Sequence, residues 1–151
     1  MSGQARGRTW DEFQVGELHT TAGRTVTESD VVAFAGLSGD FNPLHTDAEF
    51  ARRSPFGERI AHGALILAMT TGLANQLGIF EGTTIALLQM TTKYTGAVRF
   101  GDTVRAELKV AEKKETKKDD RGVATFDVTV KNQKDEAVLE GQWVLLLRRK
   151  R

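Results

Sequence analysis

Asp40 and His45 stand five positions apart in Leu37-Ser38-Gly39-Asp40-Phe41-Asn42-Pro43-Leu44-His45, a segment punctuated by Gly39 and Pro43. A neutral imidazole can take or give a proton near pH 7. A carboxylate can fix a water or orient the ring, so the pair suffices for general acid–base chemistry without a nucleophile. A loop between helices is where such groups concentrate. The plain alternative is an Asp that makes an Asx turn beside a surface His, because the spacing alone is common. A second feature is Ala61-His62-Gly63, directly ahead of an apolar run that begins at Ala64. Backbone N–H groups at a helix start can face an anion with the helix dipole behind them, so an enolate or oxyanion can sit there. A glycine that merely permits close packing is the alternative at that position.

The whole chain limits what this chemistry can be. Its 151 residues are the length of one domain, expected to span 1–151. Lys and Arg number 21 against 20 Asp and Glu, a net charge of +1, which argues against a nucleic-acid partner. With no Cys, thiolate catalysis, disulfides and iron–sulfur ligation drop out. No apolar run is long enough for a membrane span, and Met1 to Arg8 lacks the apolar segment of a secretory leader, so a cytoplasmic protein with no membrane partner is expected. His19, His45 and His62 with Asp40 or Asp47 show none of the close helical spacings of metal ligands, and no metal is expected.

The elements that must position these residues follow from patterning. Trp10 and Phe13 suggest a docked turn after a flexible stretch 1–9, and Leu18 to Val26 reads as one strand. Thr27 and Asp30 form a capping box for a helix carrying Val31, Phe34, Ala35 and Leu37 that stops at Ser38-Gly39. Asp47 caps a second short helix, with an ordered loop between the two. Ala61 to Leu77 is apolar on most sides, the pattern of a buried helix closed by Gly78. Four β-rich segments follow, Thr83 to Tyr94, Val104 to Val110, Val123 to Val130 and Val138 to Leu147. Val104, Ala106, Leu108 and Val110 alternate with Arg105, Glu107 and Lys109, as half-buried antiparallel strands require. The charged run Glu112 to Asp120 reads as a solvated hairpin tip, and 148–151 as a basic tail. This order gives an α+β fold, a curved antiparallel β-sheet around one long helix, with the opposite sheet face free for another copy.

The run Phe34, Leu37-Ser38-Gly39-Asp40-Phe41-Asn42-Pro43-Leu44-His45 and then Ala51, 18 contiguous residues, resembles the hydratase signature of MaoC-like, (R)-specific enoyl-CoA hydratases. Pro55-Phe56-Gly57-Glu58-Arg59-Ile60-Ala61-His62-Gly63 is similar to that family's lead into its central helix, and Phe100-Gly101-Asp102 fits its strand corner. The resemblance covers most of the chain in order and implies the hot-dog fold. It makes Asp40 and His45 a dyad that holds one water, makes the Gly63 N–H the donor to a thioester carbonyl oxygen, and puts Asn42 behind the dyad. It further places Ala61, His62 and Ala64 at the substrate. Thr71 falls where a small hydroxyl residue lines the site, or simply bonds back to a helix carbonyl.

The implied reaction is reversible hydration of a trans-2-enoyl thioester to an (R)-3-hydroxyacyl thioester. Coenzyme A or an acyl carrier protein is then part of the substrate, and no separate cofactor is called for. A homodimer or higher oligomer is implied, because one hot-dog unit fills the chain. Leu65, Met69 and Phe80 are candidates to line an acyl tunnel, and Arg52, Arg53 and Arg59 to meet the phosphates of coenzyme A. A hot-dog acyl-CoA thioesterase and a non-catalytic acyl-thioester-binding subunit are the alternatives, against which the retained Asp40 and His45 count.

Overall fold

Reciprocal capping opens the first long helix in the computed structural model, which describes residues 6–150. Thr27 Oγ1 accepts from Asp30 N, the Asp30 carboxylate accepts from Thr27 N, and the helix α1 (Glu28–Ser38) ends at Gly39 in the left-handed conformation, φ 79°. The Thr27 N–H bond and, after it, the Arg24 guanidinium hold the Asp30 carboxyl below its ordinary pKa. Two short helices follow, α2 (Pro43–Thr46) and α3 (Ala48–Arg52). The long helix α4 spans Gly63–Gln76, and Gly78 beyond it has φ 78°.

The strands are β1 (Leu18–Thr20), β2 (Arg24–Thr25), β3 (Thr84–Tyr94), β4 (Thr103–Glu115), β5 (Arg121–Lys131) and β6 (Ala137–Arg148). They pair antiparallel in the order β1-β4-β5-β6-β3, with β2 also on β4. Alternation along β4 and β5 turns Val104, Ala106, Leu108, Phe126, Val128 and Val130 inward, where they pack with Leu65, Ile66 and Met69 of α4. This is the α+β hot-dog arrangement, a curved sheet wrapped on one helix. No helix among the described residues is long and apolar enough to cross a membrane.

Several expectations change. The strand read over Leu18 to Val26 is two pieces along β4, because Thr21 is buried and ties both its N–H and its hydroxyl oxygen to Ala106, and Ala22 and Gly23 then put one extra residue opposite β4. The loop expected after Gly39 contains α2, since the Asn42 side chain caps Leu44 N and Pro43 occupies the first helical position, where its missing N–H costs nothing. Strand β4 runs on to Glu115, so the loop of the hairpin is only Thr116–Asp120. Gly7 and Arg8 of the stretch expected to be flexible donate to Glu81 and Ile79 carbonyls. At the other end Arg149 pairs with Asp11 and Glu115 and lies over the Trp10 ring, so the basic end is docked. Residues 1–5 and 151 of those two segments lie outside the described residues.

The outer sheet face, read as free for another copy, carries Arg105, Glu107, Asp127 and Lys131, paired among themselves or with neighbours. Exposed apolar surface sits instead on β3, whose outer edge bonds no other strand and which presents Ile85, Leu87 and Leu88. Helix α4 is likewise not buried all round: Ala64, Ala68 and Gly72 form an exposed flank.

Candidate active site

The segment from Gly39 to Thr46 holds itself in place before it meets anything else. Asp40 N donates to Ser38 Oγ at 3.1 Å, Asn42 N donates to Asp40 Oδ1 at 3.2 Å, and Thr46 Oγ1 donates to the Phe41 carbonyl at 3.0 Å. Asp40 is thus exposed on a turn that a left-handed Gly39 starts and an Asn42 cap ends. One turn of α2 then carries His45 back toward the same side. The lead into α4 is fixed by the sheet: Ile60 bridges to Arg99, and Ala61 N donates to the Val98 carbonyl at 2.8 Å.

These two segments meet at Asp40 and His45. A carboxylate oxygen of Asp40 and one ring nitrogen each of His45 and His62 lie within 4.8 Å of one another. His45 Nδ1 is 2.7 Å from the Ile60 carbonyl oxygen. A carbonyl only accepts, so Nδ1 carries the proton and Nε2 of the neutral ring keeps a lone pair. His45 can therefore take a proton from a water at Nε2. Three such groups also make up the composition of a transition-metal site, a grouping that linear spacing did not reveal. Here the two imidazole rings stack at 3.9 Å with 29° between planes, whereas ligands converge on an ion edge-on.

Beside His45 opens a pocket of about 610 Å³, lined by His45, Ala61, Gly63, Ala64, Tyr94 and Gly96 among others, within the size range of small-molecule sites. The α4 start faces it with its first turn uncapped by any side chain. An uncapped first turn leaves N–H groups free for a ligand. Gly63 is required for close approach, since a Cβ there would stand 2.7 Å from Tyr94 Cε1. Tyr94, Phe56 and the Ile60 carbonyl were not singled out from the sequence. Tyr94, the sole tyrosine, ends a strand far along the chain, and nothing local marks it.

Other expected site residues are placed elsewhere. Asn42 caps α2 and lines a neighbouring pocket of about 530 Å³ with Leu44, Phe50 and Arg53. His62 is 2 % exposed and is not among the residues lining the His45 pocket. Thr71 donates to the Ala68 carbonyl at 2.6 Å and lines a separate cavity with Asn75, Phe80 and Trp143. Leu65 and Met69 are turned into the core, and Ala64 and Ile66 line the pocket in their place. Arg52 pairs with Glu49 and Arg59 with Glu28, whereas Arg53 has no ion-pair partner among the described residues.

Residues 12–132 match the family model described as a MaoC like domain. The chain is 32% identical over 133 residues to the 3-hydroxybutyryl-CoA dehydratase of Methylorubrum extorquens, covering 88% of this chain and 80% of that one. It is 34% identical over 119 residues to the (R)-specific enoyl-CoA hydratase of Aeromonas caviae, covering 79% of this chain and 84% of that one. A solved structure from Archaeoglobus fulgius, described as a monoamine oxidase regulatory protein, superposes with a TM-score of 0.90 at 37% identity, covering 97% of this chain and 99% of that one.

Proposed function

The chain belongs to the MaoC-like dehydratase family of carbon–oxygen lyases, and we propose that it adds water reversibly to a trans-2-enoyl-CoA to give the (R)-3-hydroxyacyl-CoA. The observation that carries this is the meeting of the Asp40 carboxylate and His45, with its Nε2 lone pair, beside a pocket headed by the uncapped start of α4. One water is held between the carboxylate and Nε2. Its oxygen bonds to the β-carbon as the dyad takes one of its protons, the alkene electrons move toward the thioester carbonyl, and the dyad returns a proton to the α-carbon. The carbonyl oxygen gains negative charge in between, and the Gly63 N–H is placed to receive it. A preorganised donor of this kind is worth about 3 kcal/mol of barrier. Hydration leaves the oxidation level unchanged, so the thioester itself is the only electron sink the reaction needs.

The acyl chain runs along the exposed small flank of α4 from Ala64, and Arg53 is the arginine free to meet a phosphate of coenzyme A. The direct test follows loss of the enoyl-thioester absorbance with crotonyl-CoA and the chirality of the product. Formation of (R)-3-hydroxybutyryl-CoA is expected. Release of free coenzyme A without hydration would transfer the chain to the thioesterase reading, and binding without turnover to the non-catalytic one.

A homodimer is part of the same proposal. The bare β3 edge and its exposed Ile85, Leu87 and Leu88 support pairing with a second copy, since long apolar edge strands are otherwise aggregation-prone. Sedimentation should give a dimer mass for the wild type and a monomer mass for Leu87→Lys/Leu88→Lys. A monomeric wild type at micromolar concentration would refute the pairing.

A further inference from the structure

His62 sits at the N-cap of α4, yet its side chain makes no capping bond there. Its Nε2 lies 2.9 Å from the Asp40 main-chain oxygen, its ring stacks on His45 at 3.9 Å, and the Phe34 ring meets it edge-on at 5.0 Å. Because a carbonyl only accepts, Nε2 carries the proton and Nδ1 is bare. That Nδ1 is buried with no hydrogen-bond partner among the described residues. Burying an unpaired nitrogen is unfavourable, and an apolar ring would fill the space without it. A histidine here therefore has to offer something an apolar ring cannot, and the Nε2–H bond to Asp40 is the one hydrogen bond its side chain makes among the described residues.

We propose that His62 is a positioning residue for the dyad: its Nε2–H fixes the Asp40 backbone and its ring face fixes the plane of the His45 imidazole, so that both aim at one water. The proposal rests on the hydratase reading above. Asp40 needs such a tie because it follows Gly39 on an exposed turn, where its own N–H reaches only the Ser38 hydroxyl. His45 needs a floor because its single polar anchor is the Ile60 carbonyl, about which the ring can rock. One buried ring meets both requirements across a separation of 17 residues from His45 and 22 from Asp40. It acts through the dyad and stays out of the substrate pocket.

The test compares wild type, His62→Phe and His62→Gln in crotonyl-CoA hydration, each checked for folding by thermal melting. Phe keeps the stack and loses the donor; Gln places an amide N–H near the old Nε2 and loses the stack. Because ångström-scale misplacement of a catalytic group can cost up to about 100-fold, His62→Phe should lower kcat at least about tenfold with KM unchanged, and His62→Gln, which restores the donor without the stack, should recover only part of that loss. Should His62→Phe fail to fold, His62→Met removes both the donor and the stack and should fall below His62→Gln in kcat. A folded His62→Phe with wild-type kcat overturns the proposal while leaving the hydratase reading intact, as does a raised KM at unchanged kcat, which would mark a substrate contact. A wild type that hydrates no enoyl-CoA overturns both together.

Discussion

Asp40→Asn is expected to lower kcat for enoyl-thioester hydration by about 10³-fold, and His45→Asn by a comparable factor, because each removes one half of the proton transfer on a shared water. Both replacements leave the local structure its anchors. Asparagine at 40 retains an Oδ1 to accept from Asn42 N, the 3.2 Å bond that closes the turn. Asparagine at 45 retains a donor near the old Nδ1, aimed at the Ile60 carbonyl 2.7 Å away, and deletes the Nε2 lone pair. Neither side chain is in the core, so melting temperatures should move little. With binding contacts unchanged, the loss belongs in kcat and not in KM. The double variant should be no slower than the slower single, since residues that act on one proton fail as a unit. Steady-state rates on crotonyl-CoA measure all of this. Either single variant within tenfold of wild type would show that the water is activated elsewhere.

The parts of this architecture that were legible in the sequence are those whose determinants are local. The Thr27–Asp30 capping box, the helix stop at Gly39 and the Asp47 cap each involve groups within four residues, and all three form as read. Alternation along β4 and β5 likewise reports burial strand by strand. Where a tertiary partner decides, the reading failed. Thr21 breaks the first strand because Ala106, 85 positions later, offers it a buried pair of bonds. The extension of β4 through Glu112 to Glu115 is fixed by pairing with Gly122 to Thr125, which outweighs the solvated character of that charged run. The open flank of α4 could not be told from its buried side, because alanine and glycine read as apolar wherever they face.

The site divides in the same way. Asp40, His45 and Gly63 were singled out because their spacing and types could carry the chemistry, and the resemblance implied their roles; the fold brings an Asp40 oxygen and a His45 nitrogen within 4.8 Å and opens Gly63 on the pocket. His62 was assigned to the substrate because it adjoins Gly63 in the chain. Consecutive residues at a helix start point in different directions, and the fold turns His62 inward under His45 while Gly63 opens on the pocket. The stacked pair is invisible in one dimension. Nor could spacing assign the arginines, since which of them remains free depends on where Glu28 and Glu49 stand.

Gly63→Pro isolates the role of the α4 start more sharply than any truncation, because proline deletes the N–H and is tolerated at the first helical position, where no intrahelical bond is lost. His62 ahead of it has φ −60° and ψ 136°, the extended conformation a residue before proline prefers. The Cβ contact is shared with Gly63→Ala: any Cβ there meets Tyr94 Cε1 at 2.7 Å, so the exposed ring must swing aside in both variants. Alanine therefore serves as the reference that pays for the Tyr94 shift while keeping the donor. Gly63→Pro should fall below Gly63→Ala by about 10²–10³ in kcat, the loss that follows removal of one oxyanion donor, with melting temperatures of the two alike. Proline and alanine variants of equal rate would mean that charge at the thioester oxygen is met by another group, and the uncapped first turn of α4 would then serve packing alone.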